Sequence, residues 1–228
     1  MNEVLRQEKK FLIGLPEYYY HSGNLAKFMM EDPHNRGDGY PIRSLYFDSI
    51  EDRDYQEKID GVELRRKIRL RCYSPDSDFG LLEIKQKEGP MQKKRSLRLS
   101  REEAVRLTKG DYGVLLSCRE PLARECYAVM NMYGYRPCSV VEYRRRAFIA
   151  RENKIRVTFD HHIVGTESSF DIFDGSLTQY PVQDQSLVVL EVKYNGFLLS
   201  YIKDMLSSCA AGEISVSKYC CGLSNNLQ

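Results

Sequence analysis

Alternation of polar and apolar residues is the dominant pattern along this chain, and it is sharpest in the stretch RRKIRLRCY (65–73). Cations occupy every second position from Arg65 to Arg71, and apolar residues fill most of the positions between them. Successive side chains of an extended chain point to opposite faces. The stretch therefore predicts a strand with one cationic face and one apolar face.

The same alternation recurs along the chain and predicts an α+β protein built on a large antiparallel sheet, in a single domain over residues 1–228. Eight strands are predicted, at about 4–13, 40–47, 64–73, 80–88, 93–99, 138–149, 154–160 and 187–194. Helical periodicity predicts four helices, over 17–30, 100–110, 120–134 and 196–209, the second opening with a capping box at Ser100 and Glu103. His161 and His162 are predicted to lie in a turn after a strand.

Two arrangements of the cationic faces follow from this pattern. Net charge is only +2, but residues 65–98 hold eleven Lys or Arg against four acids. These cations either face bulk water or, if the sheet closes on itself under helices, line the inside of a barrel. Cations inside a barrel repel one another unless an anion such as phosphate fills it.

Composition excludes several classes of protein. At 42% hydrophobic and 29% charged residues, the chain is typical of a globular protein. It has no secretory signal and no uncharged apolar stretch near the ~18 residues of a membrane helix, so we expect a cytoplasmic protein without a membrane span. Seven cysteines without paired spacing predict neither a disulfide framework nor a zinc site, and the four histidines fit no catalytic or metal spacing.

Eight segments, taken in order from about residue 5 to 221, together resemble the VTC domain. This is the catalytic domain of the vacuolar transporter chaperone polyphosphate polymerases, within the CYTH or triphosphate tunnel metalloenzyme superfamily. The opening motif of that superfamily is Glu-x-Glu-x-Lys, and here Arg6 precedes Glu8 and Lys10, which favours the VTC branch. The segments are RQEKKFLI (6–13), YPIRSLYFD (40–48), KIRLRCY (67–73), LEIKQKEG (82–89), VEYRRRAF (141–148), IRVTFD (155–160), LEVKYNG (190–196) and SVSKY (215–219).

The resemblance implies an eight-stranded antiparallel β-barrel that forms a triphosphate tunnel, with helices packed outside. It implies a metal site for Mn2+ or Mg2+ at Glu191 and Glu8. It implies substrate-binding roles for Tyr143, Lys193 and Ser217. The cations that would hold phosphate and support catalysis are Lys10, Arg69, Arg71, Lys85, Arg145, Arg156 and Lys218.

Structural roles compete with these assignments. Taken alone, Lys10, Lys85 and Lys218 are typical of ordinary surface lysines. Glu191 alone is typical of an ion-pair partner for an arginine, and Glu83, like Glu8, fits either a metal ligand or an ion pair.

The resemblance implies an enzyme that moves the terminal phosphoryl group of ATP onto a growing inorganic polyphosphate chain. Two alternatives stay open: an inorganic tripolyphosphatase or nucleoside triphosphatase, and a non-catalytic polyphosphate or inositol-phosphate sensor. A nucleic-acid partner is not expected, because the chain has no recognisable binding motif and no basic tail. A membrane-protein partner remains possible, because related domains can act beside one.

Overall fold

The computed structural model describes residues 6–89, 91–209 and 212 of the chain. In these residues the chain forms ten β-strands, five α-helices and two short 3-10 helices. The strands are β1 (Arg6–Gly14), β2 (Met30–Glu31), β3 (Tyr40–Ser49), β4 (Arg65–Cys72), β5 (Phe79–Glu88), β6 (Met91–Ser100), β7 (Tyr135–Ile149), β8 (Arg156–Thr166), β9 (Tyr180–Pro181) and β10 (Leu187–Asn195). The α-helices are α1 (Leu15–Phe28), α2 (Arg53–Ile59), α3 (Arg101–Thr108), α4 (Pro121–Met132) and α5 (Ser200–Ser208), and the 3-10 helices span Tyr112–Ser117 and Glu152–Lys154.

The strands form one sheet in the order β1-β10-β8-β7-β3-β4-β5-β6, with β2 paired to β7 and β9 to β8. Chain contacts divide the described residues into two compact units. The first unit comprises 6–41, 143–163, 183–209 and 212, and the second comprises 42–89, 91–142 and 164–182.

The first unit is built on antiparallel pairing of β1 with β10 and of β10 with β8. Phe11, Leu190 and Phe159 of these strands are at most 2% exposed. They form one core with Tyr18 from α1 and Ile202 from α5. The helices therefore cover the apolar side of these strands, and the alternate residues of β1, β10 and β8 lie on the other side.

The second unit is built on the antiparallel pairs β3/β4, β4/β5 and β5/β6. Ile68, Leu70 and Leu82 are fully buried on the side that packs against α3 and α4. Helix α3 begins at the predicted capping box, in which the Ser100 hydroxyl accepts from the Glu103 N–H and the Glu103 carboxylate accepts from the Ser100 N–H. The second unit therefore has its own apolar core.

The predicted α+β class and the large antiparallel sheet are confirmed, and each predicted strand and helix is found with its ends shifted by a few residues. Strand number and closure are corrected. The sheet has ten strands rather than eight. The two that were not predicted, β2 and β9, have only two residues each and are too short to show alternation. In the described residues the hydrogen-bonded order ends at β1 and β6, so the sheet is not closed into a barrel there. Alternation cannot reveal closure, since an open sheet covered on one side has the same pattern.

Two local predictions are also corrected. His161 and His162 lie inside β8 rather than in a turn. His161 is only 2% exposed, and its buried Nε2 has a partner in the Asp38 carbonyl oxygen at 3.0 Å. Helix α2 was not predicted. No helix among the described residues has both the length and the apolar character needed to cross a membrane.

Asp54, in the first turn of α2, is a buried acid with an unusual environment. It is 1% exposed, and its Oδ1 accepts a hydrogen bond from the Tyr135 hydroxyl at 2.8 Å. The neighbouring Asp48 carboxylate accepts backbone N–H groups of Ser49, Asp54 and Tyr55 at 2.7–2.9 Å. Burial, with repulsion from Asp48, raises the pKa of Asp54 to about 7.

We expect Asp54→Asn to flatten the pH dependence of stability between pH 5.5 and 8. Because the folded-state pKa is raised, this group stabilises the protein at low pH, and that stability is lost as pH rises through about 7. The loss is roughly 1.4 kcal/mol per pH unit at its steepest. Urea unfolding at both pH values measures it, with the exposed Asp60→Asn as control; equal slopes in Asp54→Asn and wild type would contradict the assignment.

Candidate functional site

The second unit carries a cationic face on the side of β3–β6 opposite its core. The register sets Arg69 opposite Tyr46 and Glu83, and Arg71 opposite Ser44. We call this side the second-unit face. By the register, its carboxylate on β4–β6 is Glu83, and its cations there are Arg65, Lys67, Arg69, Arg71, Lys85, Lys87, Lys94 and Arg98. These three strands thus place eight cations and one carboxylate on the face.

Glu83 organises three of these cations. Its carboxylate is 2% exposed and lies 2.7 Å from Arg69 Nε, 3.8 Å from Arg71 Nη2 and in direct contact with Lys94 Nζ. Burial alone would raise its pKa, but Arg69, Arg71 and Lys94 outweigh burial and lower the pKa of Glu83 to about 2. Glu83 is therefore a permanent anion and acts as an ion-pair partner.

Two polar atoms on the second-unit face are buried without a hydrogen-bond partner among the described residues. They are Arg71 Nε and the Ser44 hydroxyl oxygen. Arg71 is 6% exposed and Ser44 is 0% exposed. Buried donors without partners are costly, so an oxygen-rich ligand would find donors ready here.

Arg66 lies on the opposite side of β4 from Arg69, as the alternation predicts. It is paired with Gln86 in the register, and its guanidinium lies 4.8 Å from the centre of the Tyr133 ring. Arg53 lies 4.7 Å from the same ring. Arg66 is therefore a cation of β4 that does not lie on the second-unit face.

The first unit carries a group of two lysines and two carboxylates on β1 and β10. Lys10 is opposite Glu191 and Glu8 is opposite Lys193 in the register. Lys10 Nζ lies 2.8 Å from Glu8 and 3.4 Å from Glu191, and Lys193 Nζ lies 2.6 Å from Glu191 and 3.7 Å from Glu8. Burial alone would lower the pKa of Lys10, but Glu191 and Glu8 raise it, so that this lysine stays charged.

Arg145 and Arg156 lie on the same side of the first unit, and each is held by a buried aspartate. Asp160, fully buried, accepts from Arg145 Nε at 2.6 Å and Nη2 at 2.7 Å. Burial would lower the pKa of Arg145, but Asp160 raises it well above the usual value. Asp32 accepts from Arg156 Nη2 at 2.7 Å. Tyr143 is 2% exposed, with its ring centre 5.4 Å from the Arg145 guanidinium.

We call this side of β1, β10, β8 and β7, with Asp32, the first-unit face. Its cations and carboxylates are equal in number, unlike those of the second-unit face. They are Lys10, Arg145, Arg156 and Lys193 against Glu8, Asp32, Asp160 and Glu191. The first-unit face is thus close to neutral, while the second-unit face has an excess of positive charge.

The carboxylates of the first-unit face fit a metal ion that is shared with a substrate. Among the described residues no group of three or more His, Cys, Asp or Glu is arranged to hold a metal ion alone. Glu8 and Glu191 supply oxygen donors on neighbouring strands. Mg2+ commonly binds one or two carboxylates and completes its shell with water and phosphate oxygens.

The structure divides the sequence-predicted site residues between the two faces. Glu8, Lys10, Tyr143, Arg145, Arg156, Glu191 and Lys193 lie in the first unit, and Arg69, Arg71 and Lys85 lie in the second. Ser217 and Lys218 fall outside the described residues.

Sequence reasoning did not assign Lys94, Asp160 or Asp32 to the site. Lys94 and Asp160 carry the signal of strand alternation, since Lys94 is opposite Lys85 in the register and Asp160 is two residues from Thr158 on β8. Asp32 lies 124 positions from its partner Arg156, and no local pattern joins them.

The fold and the two faces define an α+β protein in which each unit presents buried and half-buried cations on the side of its strands opposite its own apolar core. The model of the VTC domain matches residues 5–226, and the chain belongs to this family. No curated protein matches the chain.

Solved structures match the chain at low sequence identity. A Bacillus halodurans protein named "putative adenylate cyclase" is similar with a TM-score of 0.55 and 10% identity, over 93% of this chain and 95% of that chain. A conserved hypothetical protein from Pyrococcus furiosus has a TM-score of 0.39 and 8% identity, over 90% of this chain and 88% of that chain. The Schizosaccharomyces pombe Mediator head module has a TM-score of 0.48 and 8% identity, over 90% of each chain. The first supports the fold alone, and the other two carry no argument.

Proposed function

We propose that this protein transfers the terminal phosphoryl group of ATP onto a growing inorganic polyphosphate chain. The observation that carries the proposal is the second-unit face, where Arg69, Arg71 and Lys94 contact the buried carboxylate of Glu83 and Arg71 Nε has no hydrogen-bond partner among the described residues. Arginine presents planar, multidentate donors to phosphate oxygens and stays charged. Membership in the VTC domain family supports the same substrate class.

Arg69, Arg71 and Lys85 bind phosphate groups of the substrate in this proposal, while Glu83 keeps the first two side chains in place. Phosphoryl transfer needs positioning and neutralisation of phosphate oxygens more than it needs a covalent role for the protein. On the first-unit face, Lys10, Arg145 and Arg156 bind phosphate, with Tyr143 and Lys193 beside them. We extend the same role to Ser217 and Lys218.

Glu191 and Glu8 would hold Mg2+ or Mn2+ together with phosphate oxygens of the substrate. When bound, such an ion neutralises charge on the transferring phosphoryl group. Lys10 and Lys193 balance these two carboxylates in the structure, and the same lysines can donate to phosphate oxygens. We place this activity in the cytoplasm, in a single domain, with a membrane protein as a possible partner.

Separate measurement of three products tests the proposal. Purified protein is incubated with ATP and Mn2+, and ADP, free phosphate and long polyphosphate chains are quantified. Chains formed together with ADP are the expected result. Free phosphate without chains would indicate a hydrolase, and tight tripolyphosphate binding without either product would indicate a sensor; both would contradict polymer synthesis.

We expect Arg69→Ala and Arg71→Ala each to weaken tripolyphosphate binding by more than about 1.5 kcal/mol, the scale of a lost charge-assisted hydrogen bond. Arg66→Ala removes the same charge from the other side of β4 and should change binding little, since Arg66 lies against Tyr133. Calorimetric titration of all three variants measures the difference. Equal losses at Arg66 and Arg69 would show that binding follows overall charge rather than the second-unit face.

A further inference from the structure

The segment between β2 and β3 carries an exposed histidine that is held by a buried aspartate. The Oδ1 atom of Asp32, 5% exposed, lies 2.8 Å from His34 Nδ1 and accepts the His34 backbone N–H at 3.0 Å. The His34 side chain is 80% exposed. Because an ionised carboxylate only accepts hydrogen bonds, Nδ1 carries the hydrogen in the neutral ring, and that tautomer has its lone pair on Nε2, away from Asp32.

The same carboxylate holds Arg156, a proposed phosphate ligand. Arg156 Nη2 donates to Asp32 Oδ2 at 2.7 Å and lies 3.1 Å from the Tyr40 hydroxyl. The His34 and Tyr40 rings are 5.9 Å apart. The Asp32 carboxylate therefore links the two side chains, with His34 on one oxygen and Arg156 on the other.

Burial would raise the pKa of Asp32, but hydrogen bonds from His34 and the charge of Arg156 outweigh burial and lower it. The carboxylate thus stays ionised and keeps the imidazole in one tautomer and one orientation. A base oriented by a third group is the arrangement that proton-transfer catalysis requires.

The segment that carries His34 is fixed to β7. The Asp32 N–H donates to the Ala147 carbonyl at 2.9 Å, and the Asn35 side chain exchanges hydrogen bonds of 3.0 and 3.2 Å with the Ala147 backbone. Gly39 has a φ of 123°, and a Cβ there would lie 2.3 Å from the Arg145 carbonyl oxygen. The histidine is therefore presented by a segment tied directly to the strand of Arg145.

We propose that His34 and Asp32 form the general-base pair for hydrolysis of a terminal phosphoanhydride, so that this protein hydrolyses such bonds besides extending polyphosphate. The proposal rests on phosphate binding by Arg156. A water oxygen attacks the terminal phosphorus while its proton passes to His34 Nε2. The bridging P–O bond breaks, and its electron pair leaves with the shortened phosphate chain or ADP. His34 then returns the proton to solvent.

Hydrolysis needs a general base, whereas polymer synthesis does not. The attacking group in synthesis is a phosphate oxygen that is already anionic, so it needs no base. Water is a poor nucleophile without one, and general-base catalysis contributes about 10²–10⁴-fold. Loss of His34 Nε2 should therefore slow phosphate release and leave chain growth unaffected.

The experiment uses the full chain with His34→Asn, whose amide can still donate to Asp32 but has no counterpart of Nε2. Arg36→Lys, a charge-conserving change at an exposed position of the same segment, is the control. With ATP or tripolyphosphate and Mn2+, we expect phosphate release to fall about 100-fold in His34→Asn. Tripolyphosphate affinity and chain synthesis should match those of wild type, and added imidazole should restore phosphate release in His34→Ala.

Three results would overturn the inference: no phosphate release by wild type, unchanged release by His34→Asn, or parallel loss of release, binding and synthesis. Imidazole rescue distinguishes a base from a residue that only shapes the segment, since free imidazole cannot replace a structural contact. If chains are never formed but release depends on His34, the proposed polymer synthesis fails and the base assignment stands.

Discussion

Glu191→Gln is expected to lower metal-dependent turnover of ATP at least about 100-fold while the protein still folds and binds tripolyphosphate. Glu191 has a side chain only 8% exposed, and it lies between Lys10 and Lys193. Glutamine keeps the shape but loses the charge and one oxygen donor for the metal. Because two lysines then face one fewer carboxylate, attraction for a polyanion is retained.

Calorimetric binding of tripolyphosphate and of Mn2+ in its presence, beside ADP formation across a Mn2+ titration, measures these effects. Glu31→Gln is the matched control, since Glu31 is an ion-paired carboxylate of the same unit that binds Arg146 at 2.6 Å. Wild-type turnover and Mn2+ binding by a folded Glu191→Gln protein would show that Glu191 does not bind the metal and acts only as an ion-pair partner of the two lysines.

The strands could be predicted from the sequence because apolar and polar residues alternate along them, with the apolar residues on the side that the helices cover. Arg69 and Arg66 show this clearly, since one position of difference sends them to opposite sides of β4. Alternation also indicates which cations share a side. It does not indicate which carboxylate balances each of them.

Helix α2 could not be predicted because its seven residues, RDYQEKI, are too few to show an apolar stripe. Its N-terminal N–H groups are bound by Asp48, which belongs to β3, so a tertiary contact supports the helix. His161 was misassigned for a similar reason. The predicted strand ended at residue 160, but the Asp38 carbonyl provides a partner that lets His161 lie buried in a longer strand.

The first-unit face shows the same limit of local patterns. Glu8, Lys10, Glu191 and Lys193 were identified through family resemblance, and in the structure each lysine forms an ion pair with both carboxylates. Family resemblance did not identify Asp160 and Asp32, the aspartates that bind Arg145 and Arg156. Their importance follows only from burial and from distances across the fold.

Asp160→Ala is expected to lower the free energy of unfolding by about 3–5 kcal/mol, the cost of leaving a buried charge without its partner. Asp160 is fully buried and binds Arg145 through two hydrogen bonds of 2.6 and 2.7 Å. Tripolyphosphate should restore part of this stability, because a bound phosphate can replace the missing carboxylate beside Arg145. The rise in melting temperature that tripolyphosphate causes should therefore be larger in Asp160→Ala than in wild type.

Thermal unfolding with tripolyphosphate, compared with chloride at equal ionic strength, separates binding from screening. Asp160→Asn is the conservative partner variant: it keeps one acceptor for Arg145 and should lie between wild type and Asp160→Ala in stability. An equal rise in melting temperature for wild type and Asp160→Ala would mean that phosphate does not reach Arg145. Arg145 would then be a structural cation, and phosphate binding by the first-unit face would rest on Lys10, Arg156 and Lys193.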